Sequence, residues 1–196
     1  LDVPTTSPFR SVSDLVAYGK ANPGKLNLAT QGAGATSHLA GELFRATAGI
    51  DFLPVHYQGS APGLVAVIAG QVDFYFDGVA TSAPNILGGR MRGLAVTGDA
   101  RAPSLPDVPT MREPGYPDVT VYSWYGLLAP AGTPQPIIDR LNQEIVAILR
   151  SPKIVDTFGD NGVTVKTGSP AEFAAFIRKE RALWEPLIRS WNISLD

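Results

Sequence analysis

The sequence contains no cysteine, only two histidines and no run of lysine or arginine. Without cysteine there are no disulfides, thiolate zinc sites, iron–sulfur clusters or cysteine nucleophiles. His38 and His56 are too few for a histidine-rich metal site, and the sequence points to no cofactor. Charged residues make up 17% of the chain, with 16 basic against 18 acidic. That near balance argues against a nucleic-acid partner held by phosphate neutralisation. No apolar run reaches the roughly 18 residues of a membrane span. No signal peptide is apparent and the chain starts at Leu1 rather than Met, which predicts a processed product or a fragment. Absence of cysteine suits an oxidising compartment, although many cytosolic proteins share it.

What is present is a chain of 196 residues, 44% apolar, enough for one domain or two small ones with a real core. Turn signals divide it into short pieces. Ser11 with Asp14 three residues later resembles a capping box opening a helix to about Lys20, which Asn22-Pro23-Gly24 ends. Leu26–Thr30 reads as a strand. Thr36 or Ser37 is expected to cap a second helix that Gly49 ends. Phe52–Tyr57, Val72–Asp77 and Gly93–Thr97 read as further strands, with helices from about Ala61 and over Ala83–Leu87 between them. This β-α alternation predicts an α/β fold with parallel strands. Residues 98–118 read as an ordered loop or a crossing between lobes. Val119–Ala129 reads as a long apolar strand and Val163–Lys166 as a short one. Helices are expected after Thr133-Pro134, after Ser151-Pro152 and after the capping box Ser169-Pro170-Ala171-Glu172. The apolar faces of these last helices need a sheet to cover, so they belong to a lobe of which this chain holds only part.

Three stretches could carry chemistry. Thr30-Gln31-Gly32-Ala33-Gly34-Ala35-Thr36-Ser37-His38 runs from a strand into a helix. Glycine lets backbone approach a ligand closely, and a helix start offers free N–H groups with partial positive charge. With the Thr30, Thr36 and Ser37 hydroxyls this is an anion site for a carboxylate or phosphate; an ordinary capped helix is the alternative. Asp77 lies at the carboxyl end of a core strand, the edge where open α/β sheets bind ligands, and could accept from a ligand amine or hydroxyl or position a water; a loop or helix-capping Asp is the alternative, and Asp73 reads as structural. Ser60 reads as a helix cap, with a hydroxyl facing the same crevice as the alternative. Dinucleotide binding is disfavoured, because Ser37 stands at the third glycine position and no acid ends the next strand near His56-Tyr57. No Gly-x-Ser-x-Gly elbow is present, and Ser37 and His38 diverge by about 100° on a helix. His38 reads as a packing residue, and the chain as no enzyme. Trp124, Trp184 and Trp191 read as packing residues, with Trp124-Tyr125 the best candidate for stacking on a ligand.

Further motifs then matter together: Ser37-His38-Leu39-Ala40-Gly41-Glu42-Leu43-Phe44, Tyr57-x-Gly59-Ser60-Ala61-Pro62, Gly70-Gln71-Val72-Asp73, Leu105-Pro106-Asp107-Val108-Pro109-Thr110 and Trp124-Tyr125-Gly126-Leu127-Leu128-Ala129-Pro130. In order and spacing they resemble the solute-binding receptors of tripartite tricarboxylate transporters, the Bug family. The resemblance implies a periplasmic-binding-protein-like fold, two α/β lobes closing on a small organic acid. It implies residues 1–122 as the second lobe, and 123–196 as a hinge strand and helices returning to the first. It implies a periplasmic protein that binds a di- or tricarboxylate or related acid and delivers it to a membrane permease of the tripartite type. Thr30, Gln31, Gly32, Gly34, Thr36 and Ser37 would bind the ligand, with Asp77 beside them. Two departures stand out. The N-terminal segment that builds most of the family's first lobe has no counterpart here, so self-association is expected if that lobe is missing. Ala33-Gly34-Ala35 stands where the family often has Asn-Gly-Ser, and Asn85 where it often has His. An interaction or signalling module that has lost transport is the alternative reading, and a small hydrolase a distant third.

Overall fold

The structure is a computed structural model and describes residues 1–194. It divides into two compact units, Leu1–Ser123 and Trp124–Asn192. Among the described residues no helix is long and apolar enough to cross a membrane.

The first unit runs β1 (Asp2–Pro4), α1 (Val12–Ala21), β2 (Leu26–Thr30), α2 (Thr36–Ala48), β3 (Phe52–His56), α3 (Ser60–Ile68), β4 (Phe74–Tyr75), α4 (Val79–Leu87) and β5 (Met91–Gly93). The sheet order is β3-β2-β4-β1-β5. β2 pairs in parallel with β3, Leu26 opposite Phe52 and Thr30 opposite His56, and with β4, Leu28 opposite Phe74. All three therefore end at one edge. The capping box at Ser11 forms as expected: its hydroxyl accepts from the Asp14 N–H at 3.1 Å, and Asp14 accepts from the Ser11 N–H at 2.9 Å. Asp73 staples β4 to β2, accepting from the Asn27 N–H at 2.7 Å.

The core lies under α2. Phe44, Phe52 and Phe74 are buried, and Phe74 meets Phe52 edge-on with ring centres 5.2 Å apart, the geometry aromatic quadrupoles favour. α2 comes so close to β2 that a Cβ on Gly41 would sit 2.2 Å from Leu28 Cδ2. Residues 98–118 form a loop tied by two bonds from Arg101 to Glu113, at 2.9 and 2.6 Å, while Glu113 also accepts from the Thr110 N–H at 3.0 Å.

Several expectations need correction. The sheet is not purely parallel: β1, a three-residue strand carrying Pro4 and read as no element from sequence, lies antiparallel between β4 and β5. The fourth expected strand shifts from Gly93–Thr97 to Met91–Gly93, because β1 is its partner. The third shortens to Phe74–Tyr75, and α4 starts earlier, at Val79. The cap of α2 is Ala35, not Thr36 or Ser37, and that of α3 is Gly59, not Ser60.

The second unit contains α5 (Gln135–Leu149), α6 (Pro152–Asp160) and α7 (Pro170–Ser190). The Ser169–Glu172 capping box forms as expected. Trp124 packs edge-on against Phe173 and Phe176 of α7, with ring centres 5.9 and 5.2 Å apart. The stretches Val119–Ala129 and Val163–Lys166 form no strand. A strand exists only where a neighbour takes its N–H and C=O groups along a ladder; in the first stretch Val121 alone meets Thr97, through its N–H at 3.2 Å and its carbonyl at 2.6 Å, and no ladder follows. Tyr125 is 94% exposed and none of the residues of α5, α6 or α7 is buried.

Two outcomes follow from this packing. Gly41→Ala forces the buried Leu28 to shift and costs about 1–3 kcal/mol, read as a lower denaturation midpoint. The Arg101 guanidinium, helped by the Thr110 N–H, holds the Glu113 carboxyl down at about 2, against an ordinary value of 4.5. The stability it lends is thus full above pH 4.5 and lost as pH falls towards about 2. Glu113→Gln is expected to flatten that acid limb in urea midpoints measured across pH.

Candidate functional site

Three helices begin at the edge where the parallel strands end: α2 after β2, α3 after β3 and α4 after β4. None has a side-chain cap. A helix start without a cap leaves N–H groups unsatisfied and keeps its positive end bare. At α2 the N–H groups of Thr36 and Ser37 have no partner among the described residues.

Asp77 ties the three loops together. Its Oδ1 accepts from Gln31 Nε2 at 2.8 Å and from Ser60 Oγ at 2.7 Å; its Oδ2 accepts from Thr81 Oγ1 at 2.6 Å. These donors come from the β2–α2 loop and the first turns of α3 and α4. Ser82 Oγ lies 3.4 Å from Oδ2 and donates to the buried Asp2 carboxyl at 2.5 Å. All the donors to Asp77 are neutral. A carboxylate has about four acceptor positions, so this one is nearly filled by the chain itself. Beneath it Tyr75 is fully buried and its Oη has no hydrogen-bond partner. Burial, then the Asp77 charge, pushes the Tyr75 phenol well above its ordinary range.

The other predicted site residues fall in one loop. Thr30 is fully buried, with its hydroxyl 2.6 Å from His56 Nδ1. Ser37 Oγ accepts from the Gln31 N–H at 2.8 Å, folding the loop back on the helix. The Gly32 N–H lies 3.4 Å from Thr30 Oγ1. Gly34 has φ +71, a left-handed conformation that suits glycine, and its N–H donates to His38 Nδ1 at 3.1 Å. Thr36 is half-buried at the first helical position. Thus Thr30, Gln31, Gly32, Gly34, Thr36 and Ser37 are brought together, with Asp77 bound to Gln31. Sequence reasoning passed over Thr81, Ser82 and His56, and left His38 as packing. Their shared signal is position: each stands at the end of a parallel strand or in the first turn of the helix that follows. Among the described residues no group of three or more His, Asp or Glu could hold a metal.

The model of the family described as "Tripartite tricarboxylate transporter family receptor" matches residues 1–193. The chain belongs to this family. A relative from Pseudomonas sp. strain P51, named as a UPF0065 protein in the tcbD–tcbE intergenic region, is 38% identical over all of this chain and 59% of its own length. The solved structure of Rpa4515 from R. palustris with adipate is 34% identical and superposes with a TM-score of 0.92, covering 98% of this chain and 64% of that one. MatC from Rhodopseudomonas palustris with bound malate is 29% identical, with a TM-score of 0.88 over 95% of this chain and 65% of that one. The chain therefore spans about 59% of the length of that Pseudomonas relative, and the two solved structures likewise extend beyond it.

In this member of the receptor family Asp77→Ala leaves Gln31 Nε2 and Ser60 Oγ without an acceptor, while Thr81 Oγ1 keeps the Gly78 carbonyl at 2.9 Å. A loss of about 1–3 kcal/mol is expected, with Asp77→Asn milder, measured by chemical denaturation.

Proposed function

We propose that this chain is the ligand-binding part of a periplasmic receptor for a small carboxylate, which it delivers to a tripartite membrane permease. The observation that carries the reading is the bare start of α2, where the Thr36 and Ser37 N–H groups have no partner among the described residues, beside a loop fixed through Gln31 and Ser37. Such a start favours an anion. The adipate and malate named with the two solved relatives are both dicarboxylates. A ligand carboxylate would take the Thr36 and Ser37 N–H groups and the Thr36 hydroxyl, with the Gly32–Gly34 backbone alongside. Thr30 and Asp77 would hold the loop rather than meet the ligand, since their oxygens are already engaged. Action would be reversible binding and lobe closure, with no covalent step. Leu1–Ser123 would be the second lobe, and the helices of the other unit would return to the first. Their uncovered apolar side chains support that assignment.

Melting temperature against adipate and malate at millimolar concentration tests this. A ligand at a hundred times its dissociation constant stabilises by about 2.7 kcal/mol, a rise of roughly 5–10 °C for a domain of this size. Thr36→Pro is the sharper variant. Proline is tolerated at the first helical position but has no N–H, so the helix should persist while affinity falls about tenfold or more. Thr36→Val, which removes only the hydroxyl, should fall less. No shift with any small acid would defeat the reading.

A further inference from the structure

His38 sits one residue past the loop just described and does not point into it as a ligand group. It is 7% exposed. Its Nδ1 accepts from the Gly34 N–H at 3.1 Å. A backbone N–H can only donate, so Nδ1 must carry the lone pair, and the proton of the neutral ring lies on Nε2. That nitrogen faces Glu42 Oε1 at 3.6 Å, one helical turn on. Glu42, itself buried, is also 3.4 Å from Arg45 Nη2. From β3 the ring of His56 meets that of His38 edge-on at 4.9 Å, with its own Nδ1 on Thr30 Oγ1. The charged or titratable groups around His38 are thus Glu42 and Arg45 on its own helix and His56 on the neighbouring strand. His56 is pushed below the ordinary imidazole range by burial and then by His38.

This arrangement gives His38 a task beyond packing. The loop from Gln31 to Ala35 is held at one end by Ser37 and Asp77. At the other end, its left-handed Gly34 is held by His38. We infer that His38 is a positioning residue for the ligand loop, holding the Gly34 turn through an unprotonated Nδ1, so that gain of a proton there releases the turn and weakens ligand binding. A second proton on the ring would place N–H against N–H at Gly34. Glu42 is set to keep the resulting imidazolium in place, so the geometry that yields is the glycine turn. His56, close by, is disfavoured from taking a proton by its burial and by His38. The inference rests on the proposed reading of this loop as the ligand site. It adds that the site's affinity depends on pH through a residue that does not touch the ligand.

Asparagine is the discriminating substitution. Its Oδ1 can take the place of Nδ1 as the acceptor for Gly34, and it cannot be protonated in this range. Leucine fills the space and offers no acceptor. Affinity for adipate and for malate is measured at about pH 7.5 and about pH 5.5, which bracket the range in which imidazoles titrate. The ratio of wild type to His38→Asn cancels the acids' own ionisation. Wild type is expected to lose about three- to tenfold more affinity than His38→Asn over this interval, the worth of one hydrogen bond. His38→Leu is expected to be weak at both pH values. A nitrogen-15 NMR titration of the free 196-residue chain reads the device without ligand. At the higher pH the His38 Nδ1 resonance should be that of an unprotonated ring nitrogen, and the Gly34 amide shift should follow its titration. In His38→Asn the Gly34 amide should stay unmoved. Parallel affinity profiles for wild type and His38→Asn, or a proton on Nδ1 at the higher pH, would overturn the inference. Should neither acid bind the wild type at either pH, it is the carboxylate reading that fails, and the Gly34 titration alone decides whether His38 holds the turn.

Discussion

One carboxylate organises the edge of this sheet. Three parallel strands deliver three helix starts to the same place, and three bare positive ends side by side would repel one another. Asp77 answers this by standing among them and accepting from the loop before α2 and from the first turns of α3 and α4. Its donors are neutral, so the carboxylate keeps its charge and offsets part of the positive potential of the helix ends. The absence of side-chain caps on the same helices belongs to the same logic. A cap oxygen would have occupied the N–H groups that the proposed ligand would meet.

What was legible in the sequence was what is decided locally. Two capping boxes, Ser11 with Asp14 and Ser169 with Glu172, were readable because donor and acceptor lie three residues apart. Leu26–Thr30 was readable as a strand between two turns, and Gln31 to Ser37 as the passage from that strand into a helix. Ser60 was misplaced by one position for a related reason. A serine at a helix start reads as a cap, but here Gly59, with φ +102, takes the turn, and the hydroxyl is free to reach Asp77 at 2.7 Å. That bond spans a separation no local pattern encodes. His38 is similar: nothing in the sequence says that the backbone four residues earlier will curl back to meet its ring.

The apolar run Val119–Ala129 shows the opposite failure. Its composition is that of a strand, and it is not one, because strand character belongs to a pair and not to a segment. The same holds for α5, α6 and α7, whose amphipathic pattern is clear while none of their residues is buried. Periodicity states which face wants cover. It cannot supply the cover.

The antiparallel strand β1 has a consequence for how the chain assembles. β5 joins the sheet through β1, and β1 stands between β4 and β5. Residues 2–4 must therefore wait until residues 91–93 have arrived before either strand is satisfied on that side. Within this sheet β1 precedes the other four strands in the chain, yet it is paired on both sides only once β5 is in place. Its closure spans a long loop, whose entropic cost comes before the contact that repays it. The β2–β3–β4 layer with its three helix starts can form ahead of that event. The pairing of residues 2–4 with residues 91–93 is what then closes the sheet on that side.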